Sequence, residues 1–182
     1  MRWWETEEPP MQVYTVEGPF PKGARQMKSL LLRRAQPLDL PTLAGLRAQE
    51  WETREYWEKR IRAYLDGTLN PQQALPERVL FVAEEHGALL GFVAGHRTRR
   101  HGCEGELEWI NVDAAHRGRG LSRALLHRMA AWFVEQKAFR VCVNVRSDNQ
   151  PAVALYTGAG AQPLREGWMV WPDIRTLTNP TP

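Results

Sequence analysis

The sequence predicts a mixed α/β fold, in which a central sheet is covered by helices on both faces. Short segments rich in β-branched and aromatic residues alternate with longer segments whose apolar residues recur at helical spacing. Two helical segments follow the first strand, a run of strands comes next, and a parallel strand–helix–strand unit then begins at residue 106. This order is not a regular alternation, and 182 residues are enough for one domain with a substantial core.

The first elements are a strand over residues 29–35 and a helix that Asp39 caps and that runs to about residue 50. A second helix spans residues 54–65, with Tyr56 on its buried side, and residues 67–77 form a loop. The remaining elements are a hairpin of strands 79–84 and 89–95, a strand 106–112, a helix 121–137, a strand 139–145, a helix from 149 and a strand 168–171.

Residues 106–122, ELEWINVDAAHRGRGLS, change from strand to turn to helix within one short stretch. The strand is indicated by Leu107, Trp109, Ile110 and Val112, which are apolar and β-prone. The helix is indicated by the apolar residues that recur at helical spacing from Leu121 onwards. Free backbone N–H groups and the helix dipole make such a junction an anion-binding site.

The turn between strand and helix has residues suited to a phosphate group. Gly118 and Gly120 allow tight bending and close approach of a bulky ligand, while Arg117 and Arg119 supply charge and forked donors. The spacing is neither that of a P-loop nor GxGxxG, so neither nucleotide motif fits. Taken alone, the turn is also compatible with a solvated helix N-terminus that binds nothing.

A second motif follows the next strand. Asp148 or Asn149 can cap a helix whose first turn contains Pro151, and Gly158 or Gly160 can end it. Three residues share one face of this helix at helical spacing: Ala152, Leu155 and Tyr156.

Together the two motifs resemble the signatures of the GCN5-related N-acetyltransferase (GNAT) family. The first is the acyl-CoA pyrophosphate loop, Arg/Gln-x-x-Gly-x-Gly/Ala, and the second is N-x-x-A-x-x-L-Y-x-x-x-G-F. Ser122 replaces the usual Gly or Ala and Ala161 replaces the usual Phe. The resemblance extends from about residue 29 to residue 171. The matching residues are Arg117, Gly120, Ser122, Asn149, Ala152, Leu155, Tyr156 and Gly160.

The resemblance implies a three-layer fold with a mixed, mostly antiparallel, twisted sheet of six to seven strands. Two parallel strands splay apart, and helices cover both faces. It also implies acetyl-CoA as the cofactor, its pantetheine arm pairing with the strand before the loop. Asn149 contacts this arm or orients the loop, and either role is compatible with capping its helix. The implied cofactor-binding residues are Ile110, Asn111, Val112, Arg117, Gly118, Arg119, Gly120, Leu121, Ser122, Arg123, Asn149, Ala152 and Tyr156.

The implied reaction is direct transfer of an acetyl group to a neutral primary amine. The resemblance gives Tyr156 the role of the acid that protonates the departing sulfur, whereas a core tyrosine is the alternative. Glu106 and Glu108 are the candidate bases, because residues two apart on a strand share a face unless a bulge intervenes. Glu108 is preferred, since Glu106 lies nearer a loop and is expected at the rim.

The acceptor is left open among a lysine side chain, a protein N-terminus, a polyamine, an amino acid and an aminoglycoside. Its site is expected between the first two helices and the C-terminal strands, where Trp51, Tyr56, Trp57 and residues 168–171 are either lining or core residues. Two other functions compete: an acyl-CoA-binding sensor without turnover, and a toxin-like acetyltransferase acting on aminoacyl-tRNA. A formal charge of +3 argues against nucleic acid as a partner.

Composition sets the remaining expectations. The sequence lacks an apolar run of about 18 residues and an apolar leader, so we expect no membrane partner and a cytoplasmic location. Cys103, in a polar loop, and Cys142, in a strand, predict neither a disulfide nor a metal site. The predicted organisation is an N-terminal extension (1–27) of unknown role, part of which docks on the domain or on a second subunit of a homodimer, an acetyltransferase domain (28–175) and a C-terminal tail (176–182).

Overall fold

The computed structural model describes residues 30–178. The N-terminal extension predicted over residues 1–27 lies outside the described residues, as does most of the predicted C-terminal tail. The role given to the extension, and the domain boundaries that depend on it, therefore stay predictions.

Seven strands form one sheet in the order β1-β2-β3-β4-β5-β7-β6. Neighbouring strands are antiparallel except β4 and β5, which are parallel. This mixed, mostly antiparallel sheet confirms the predicted fold class. The strands are β1 (Leu31–Arg34), β2 (Ala74–Glu85), β3 (Ala88–Thr98), β4 (Gly105–Val112), β5 (Val141–Asn144), β6 (Gln162–Arg165) and β7 (Trp168–Trp171).

Helices cover both faces of the sheet, each over its own apolar core. One core lies under the first two helices and contains Leu43, Trp57 and Phe92. The other lies under the last two and contains Phe133 and Val93. Among the described residues, every helix is too short or too polar to cross a membrane. The helices are α1 (Leu40–Ala48), α2 (Arg54–Leu65), α3 (Leu121–Glu135) and α4 (Gln150–Gly158).

Some local predictions were wrong. Tyr56 lies in the first turn of α2 and is 38% exposed, and its ring contacts those of Trp51 and Trp57. Asp39 occupies the N-cap position of α1 without capping it, since its carboxylate accepts hydrogen bonds from the Arg33 guanidinium and the Gln36 N–H.

One further prediction needs correction. The predicted loop over residues 67–77 ends earlier, because β2 already begins at Ala74 opposite Thr98. Cys103 does lie in the loop before β4, where it is buried and packs with Cys142 and Trp168 in a small separate core.

A β-bulge in β4 sets the direction of the side chains at the centre of the sheet. Ala94 pairs with Trp109 and Gly95 with Leu107, so Glu108 has no partner on β3. Leu107 consequently packs under α3, whereas Trp109 packs under α1 and α2. Glu106 and Glu108 nevertheless remain close neighbours, as the spacing predicted.

The parallel strands β4 and β5 pair over only three residues each. The ladder joins Gly105, Glu106 and Leu107 to Val141, Cys142 and Val143, and it ends there. From Glu108 onwards, the edge of β4 that faces β5 is therefore unpaired among the described residues. This is the splayed pair of strands that the family resemblance implies.

The absence of a side chain at Gly105 is required by the packing of α3 on the sheet. A Cβ atom there would lie 2.5 Å from Cε1 of Phe133, which is only 1% exposed and cannot move aside without disturbing the core. We expect Gly105→Ala to lower the free energy of unfolding by about 1–3 kcal/mol, measured by urea denaturation. Gly45→Ala is the control, because a Cβ at this helical position meets nothing within 4 Å. This substitution should stabilise the protein by about 0.5–1 kcal/mol, and equal effects of the two would contradict the packing argument.

Candidate active site

A cavity of about 1350 Å³ opens where β4 and β5 separate. One end is lined by the loop after β4 and by the start of α4, and the other by β4, α2 and the segment that follows α2. The predicted site residues that line it are Glu106, Glu108, Ile110, Val112, Arg117, Ser122, Asn149, Ala152 and Tyr156. These residues come from two distant motifs, and the fold brings them into one cavity.

The loop before α3 has the backbone geometry of an anion site. Gly118 and Gly120 have φ angles of 77° and 79°, a left-handed conformation that side chains disfavour. A Cβ at either position would meet nothing within 4 Å, so the loop leaves open space in front of the helix. Among the described residues, no backbone N–H from Arg117 to Arg123 donates a hydrogen bond. Free N–H donors at a helix N-terminus favour an anionic ligand.

The side chains of the loop serve different purposes. Arg117 lines the cavity, is 57% exposed, and forms an ion pair with Glu50 at 3.3 Å. Arg119 instead contacts both carboxylate oxygens of Glu85, at 3.0 and 2.9 Å. Leu121 is buried in the core under α3. Leu121 therefore has only its backbone to offer a ligand, and Nη2 of Arg119 is already held by Glu85.

Two other residues predicted to bind the cofactor already have protein partners. The Asn111 side chain is buried and accepts a hydrogen bond from Arg47 at 2.8 Å, on the side of α1. The Asn149 carboxamide oxygen accepts one from the backbone N–H of Ala152 at 3.2 Å, so this residue does cap α4. Asn149 also lines the cavity, and capping leaves its amide nitrogen available.

Glu106 is buried, which corrects its expected position at the rim. It is 3% exposed, and its two oxygens lie 3.6 Å from His96 Nε2 and 3.6 Å from Arg100 Nη1. Neither His96 Nε2 nor Glu106 Oε2 has a hydrogen-bond partner among the described residues. One ligand atom each of His96, Glu106 and Glu108 lies within 4.8 Å of the others, which leaves room for a shared small molecule or ion.

Glu108 differs from Glu106 in its surroundings. It is partly buried, lines the cavity, and forms neither an ion pair nor a hydrogen bond with another described residue. Burial raises its pKa above the usual range of a carboxyl group, and the nearby charges of His96, Arg60 and Arg100 act in the opposite direction. A carboxylate with a raised pKa and no partner is suited to accept a proton.

Tyr156 lies on the α4 side of the cavity. Its side chain is 4% exposed, and its ring packs edge-on against Trp171 with centroids 5.6 Å apart. Burial raises the pKa of its hydroxyl, which therefore stays protonated at neutral pH. The hydroxyl forms no hydrogen bond with the described residues, although the residue lines the cavity. Its hydroxyl hydrogen is therefore not engaged by another described residue.

Several polar residues at the site were not predicted from the sequence. Arg47, in α1, and Arg60, in α2, line the cavity. His96 and Tyr64 form a buried pair in which Nδ1 and the hydroxyl oxygen are 3.1 Å apart. The position of His96 within an otherwise apolar strand was the one sequence feature that could have indicated this buried polar pair. Of the predicted aromatic lining, Trp51 and Trp168 line the cavity, whereas Trp57 and Trp171 are core residues.

Comparisons with known proteins agree with this geometry. The family model described as the acetyltransferase (GNAT) family matches residues 43–161. The N-alpha-acetyltransferase RimI of Mycobacterium tuberculosis is 34% identical over 94 residues, which are 51% of this chain and 58% of that protein. The chain thus spans less than two thirds of this curated relative.

Solved structures share the fold at lower identity. An acetyltransferase from Thermus thermophilus superimposes with a TM-score of 0.61 at 23% identity, covering 79% of this chain and 96% of that one. The PaiA N-acetyltransferase of Thermoplasma acidophilum in complex with coenzyme A gives 0.59 at 13% identity, covering 78% and 96%. Since the family model matches well over half of the sequence, the chain belongs to the GNAT family of acetyltransferases.

Proposed function

We propose that the protein is an acetyl-CoA-dependent N-acetyltransferase that transfers the acetyl group directly to a primary amine. The observation that carries the proposal is that Glu108 and Tyr156 line the same cavity. Neither the carboxylate nor the hydroxyl has a hydrogen-bond partner among the described residues, and both line the cavity where β4 and β5 separate. A free acceptor and a free donor of protons are what the reaction requires.

The cofactor end of the cavity fits coenzyme A. When bound, acetyl-CoA supplies an acetyl thioester. The free N–H groups of the loop before α3 would hold its pyrophosphate, and the unpaired edge of β4 at Ile110 and Val112 would pair with its pantetheine arm. The coenzyme A complex of the Thermoplasma acidophilum neighbour supports this assignment, because the two chains share a fold.

The proton transfers follow from the two side chains. The amine nitrogen bonds to the acetyl carbon while the carbon–sulfur bond breaks. Glu108 accepts the proton that the nitrogen loses, directly or through a water molecule, and Tyr156 donates a proton to the sulfur. Glu106, whose oxygens face His96 and Arg100, adds negative charge beside Glu108.

The test is an acetyl-CoA turnover assay that follows release of free thiol with a panel of amines, amino acids and peptides. Thiol release that depends on the acceptor, together with an acetylated product of the expected mass, would support the enzyme. Acetyl-CoA binding without acceptor-dependent release would instead indicate a sensor, and absence of binding would overturn the cofactor assignment.

Reversing the charge of Arg117 should weaken cofactor binding while leaving the fold intact. Arg117→Glu removes a guanidinium beside the loop and places a carboxylate near Glu50, so we expect the Kd for coenzyme A to rise about 10- to 100-fold, measured by calorimetry. Arg62→Glu is the matched control, because Arg62 is also 57% exposed and is paired with a glutamate, but lies outside the cavity. Equal losses in the two variants would show a general effect of net charge.

A further inference from the structure

The charged residues of the cavity fall into two groups. At the cofactor end they are already paired: Glu50 contacts Arg47 at 3.2 Å and Arg117 at 3.3 Å, and Arg146 is paired with Asp148. At the other end the pairing is incomplete. Arg60, Arg100, Glu106 and Glu108 line that end.

Arg60 has no partner within the described part of the chain. It lies in α2, is partly buried, and forms neither an ion pair nor a hydrogen bond with any residue from 30 to 178. It is close enough to Glu108 and Arg47 for its charge to lower the pKa of both groups. A partly buried guanidinium without an acceptor loses solvation that nothing in the described structure restores.

Arg100 is held in place but is incompletely paired. Its guanidinium carbon lies 4.2 Å from the ring centroid of Trp168, a stacking contact that fixes its plane. Its Nη1 is 3.6 Å from Glu106, and its side chain donates no hydrogen bond to a described residue, while its Nε is buried without a partner. A stacked guanidinium with free donors is a preorganised site for a planar anion.

Glu108 is the complementary group at this end. It is a carboxylate without an ion pair within residues 30–178, and it lies close to the carboxylate of Glu106. The acceptor end thus presents one free negative charge and two positive groups with free donors. A purely cationic acceptor, such as a polyamine, would leave both guanidiniums without an acceptor for their free donors.

We propose that the acceptor of this enzyme carries a carboxylate close to its reacting amine, with Arg60 and Arg100 binding the carboxylate and Glu108 receiving the amine. The inference rests on the proposed acetyltransferase function and narrows its substrate class. Two sources have this chemistry: the α-carboxylate of a free amino acid, and the acidic side chain at the N-terminus of a peptide. The forked donors of arginine suit either one.

The experiment compares acceptors in two arms by kcat/KM for thiol release. The peptide arm uses tripeptide amides that begin with glutamate, glutamine or lysine and are otherwise identical. The amino-acid arm uses free alanine against alaninamide. We expect a preference of at least about tenfold for the carboxylate in one arm, the factor that corresponds to about 1.4 kcal/mol. The arm that shows the preference identifies whether the carboxylate belongs to a free amino acid or to the first side chain of a peptide.

Two variants test the assignment to the arginines. Arg60→Gln and Arg100→Gln should each reduce the ratio of acidic to neutral kcat/KM by at least about fivefold, the order expected for loss of one charged contact. Arg62→Gln is the control, because it removes an exposed arginine from the same helix outside the cavity, and it should leave the ratio unchanged. Thermal unfolding of each variant distinguishes loss of selectivity from loss of fold.

The possible failures are distinguishable. Thiol release that is equal for the acidic and neutral acceptors, or greatest for the lysine peptide, would overturn the carboxylate site and leave the acetyltransferase standing. A preference that persists in both arginine variants would also overturn it. Absence of release from every acceptor, despite acetyl-CoA binding, would overturn the proposed function and this inference with it.

Discussion

Replacement of Tyr156 by phenylalanine is expected to lower kcat by about 100-fold or more, the usual contribution of a general acid. The variant keeps the ring that packs edge-on against Trp171 and removes only the hydroxyl, which has no hydrogen-bond partner among the described residues. The fold and the affinity for coenzyme A should therefore be preserved. The measurements are kcat from thiol release, Kd from calorimetry and the midpoint of thermal unfolding.

Tyr56→Phe is the matched control for this variant. Tyr56 is 38% exposed and lies outside the cavity, so the loss of its hydroxyl should leave kcat unchanged. If Tyr156→Phe retained full kcat, Tyr156 would be a packing residue only. If it lost affinity for coenzyme A in proportion to kcat, its hydroxyl would serve binding rather than proton donation.

The tight loop before α3 and the cap of α4 could be predicted from sequence because their determinants are local. The loop before α3 and the cap of α4 each depend on residues within a few positions of one another, such as Gly118 with Gly120 and Asn149 with Ala152. Glycine at a left-handed position and a capping asparagine have the same meaning in any protein. The structure confirms the helix cap, and it shows that the predicted tight bend places both glycines in the left-handed region.

The acceptor half could not be predicted because its contacts are long-range. Arg60 belongs to α2 and Arg100 to the segment after β3, and the sequence alone does not show that both come close to Glu108 on β4. The basic residues around Arg100 suggest a solvated loop, whereas its guanidinium stacks on Trp168. Packing between elements distant in sequence decides this environment.

Glu106 is a further residue whose environment could not be predicted from the sequence. Its nearness to the loop before β4 suggested a rim position, but the residue pairs with His96 on β3 and is 3% exposed. The bulge at Glu108 then gives the second glutamate a different environment from the first, although both lie on one strand. Alternation along the strand predicted that the two are neighbours; it did not predict that only one is free.

Replacement of Glu108 by glutamine should lower kcat/KM by about 100-fold or more, because an amide cannot accept the amine proton. The role of Glu108 as a base also predicts the direction in which activity changes with pH. A base works only when ionised, so activity should rise with pH through the pKa of Glu108, which burial places above the usual carboxyl range. The wild-type profile of kcat/KM should have this ascending limb, and the Glu108→Gln profile should lack it.

Glu106→Gln is the informative comparison, since it is isosteric, changes the same net charge and alters a neighbouring carboxylate. Because Glu106 faces His96 and Arg100, Glu106→Gln should lower kcat/KM less than Glu108→Gln does. Its pH profile should keep the ascending limb. Using one acceptor for all three proteins cancels the titration of the amine itself. A limb that disappears in Glu106→Gln and survives in Glu108→Gln would reverse the two roles, and Glu108 would then serve to attract the amine rather than to deprotonate it.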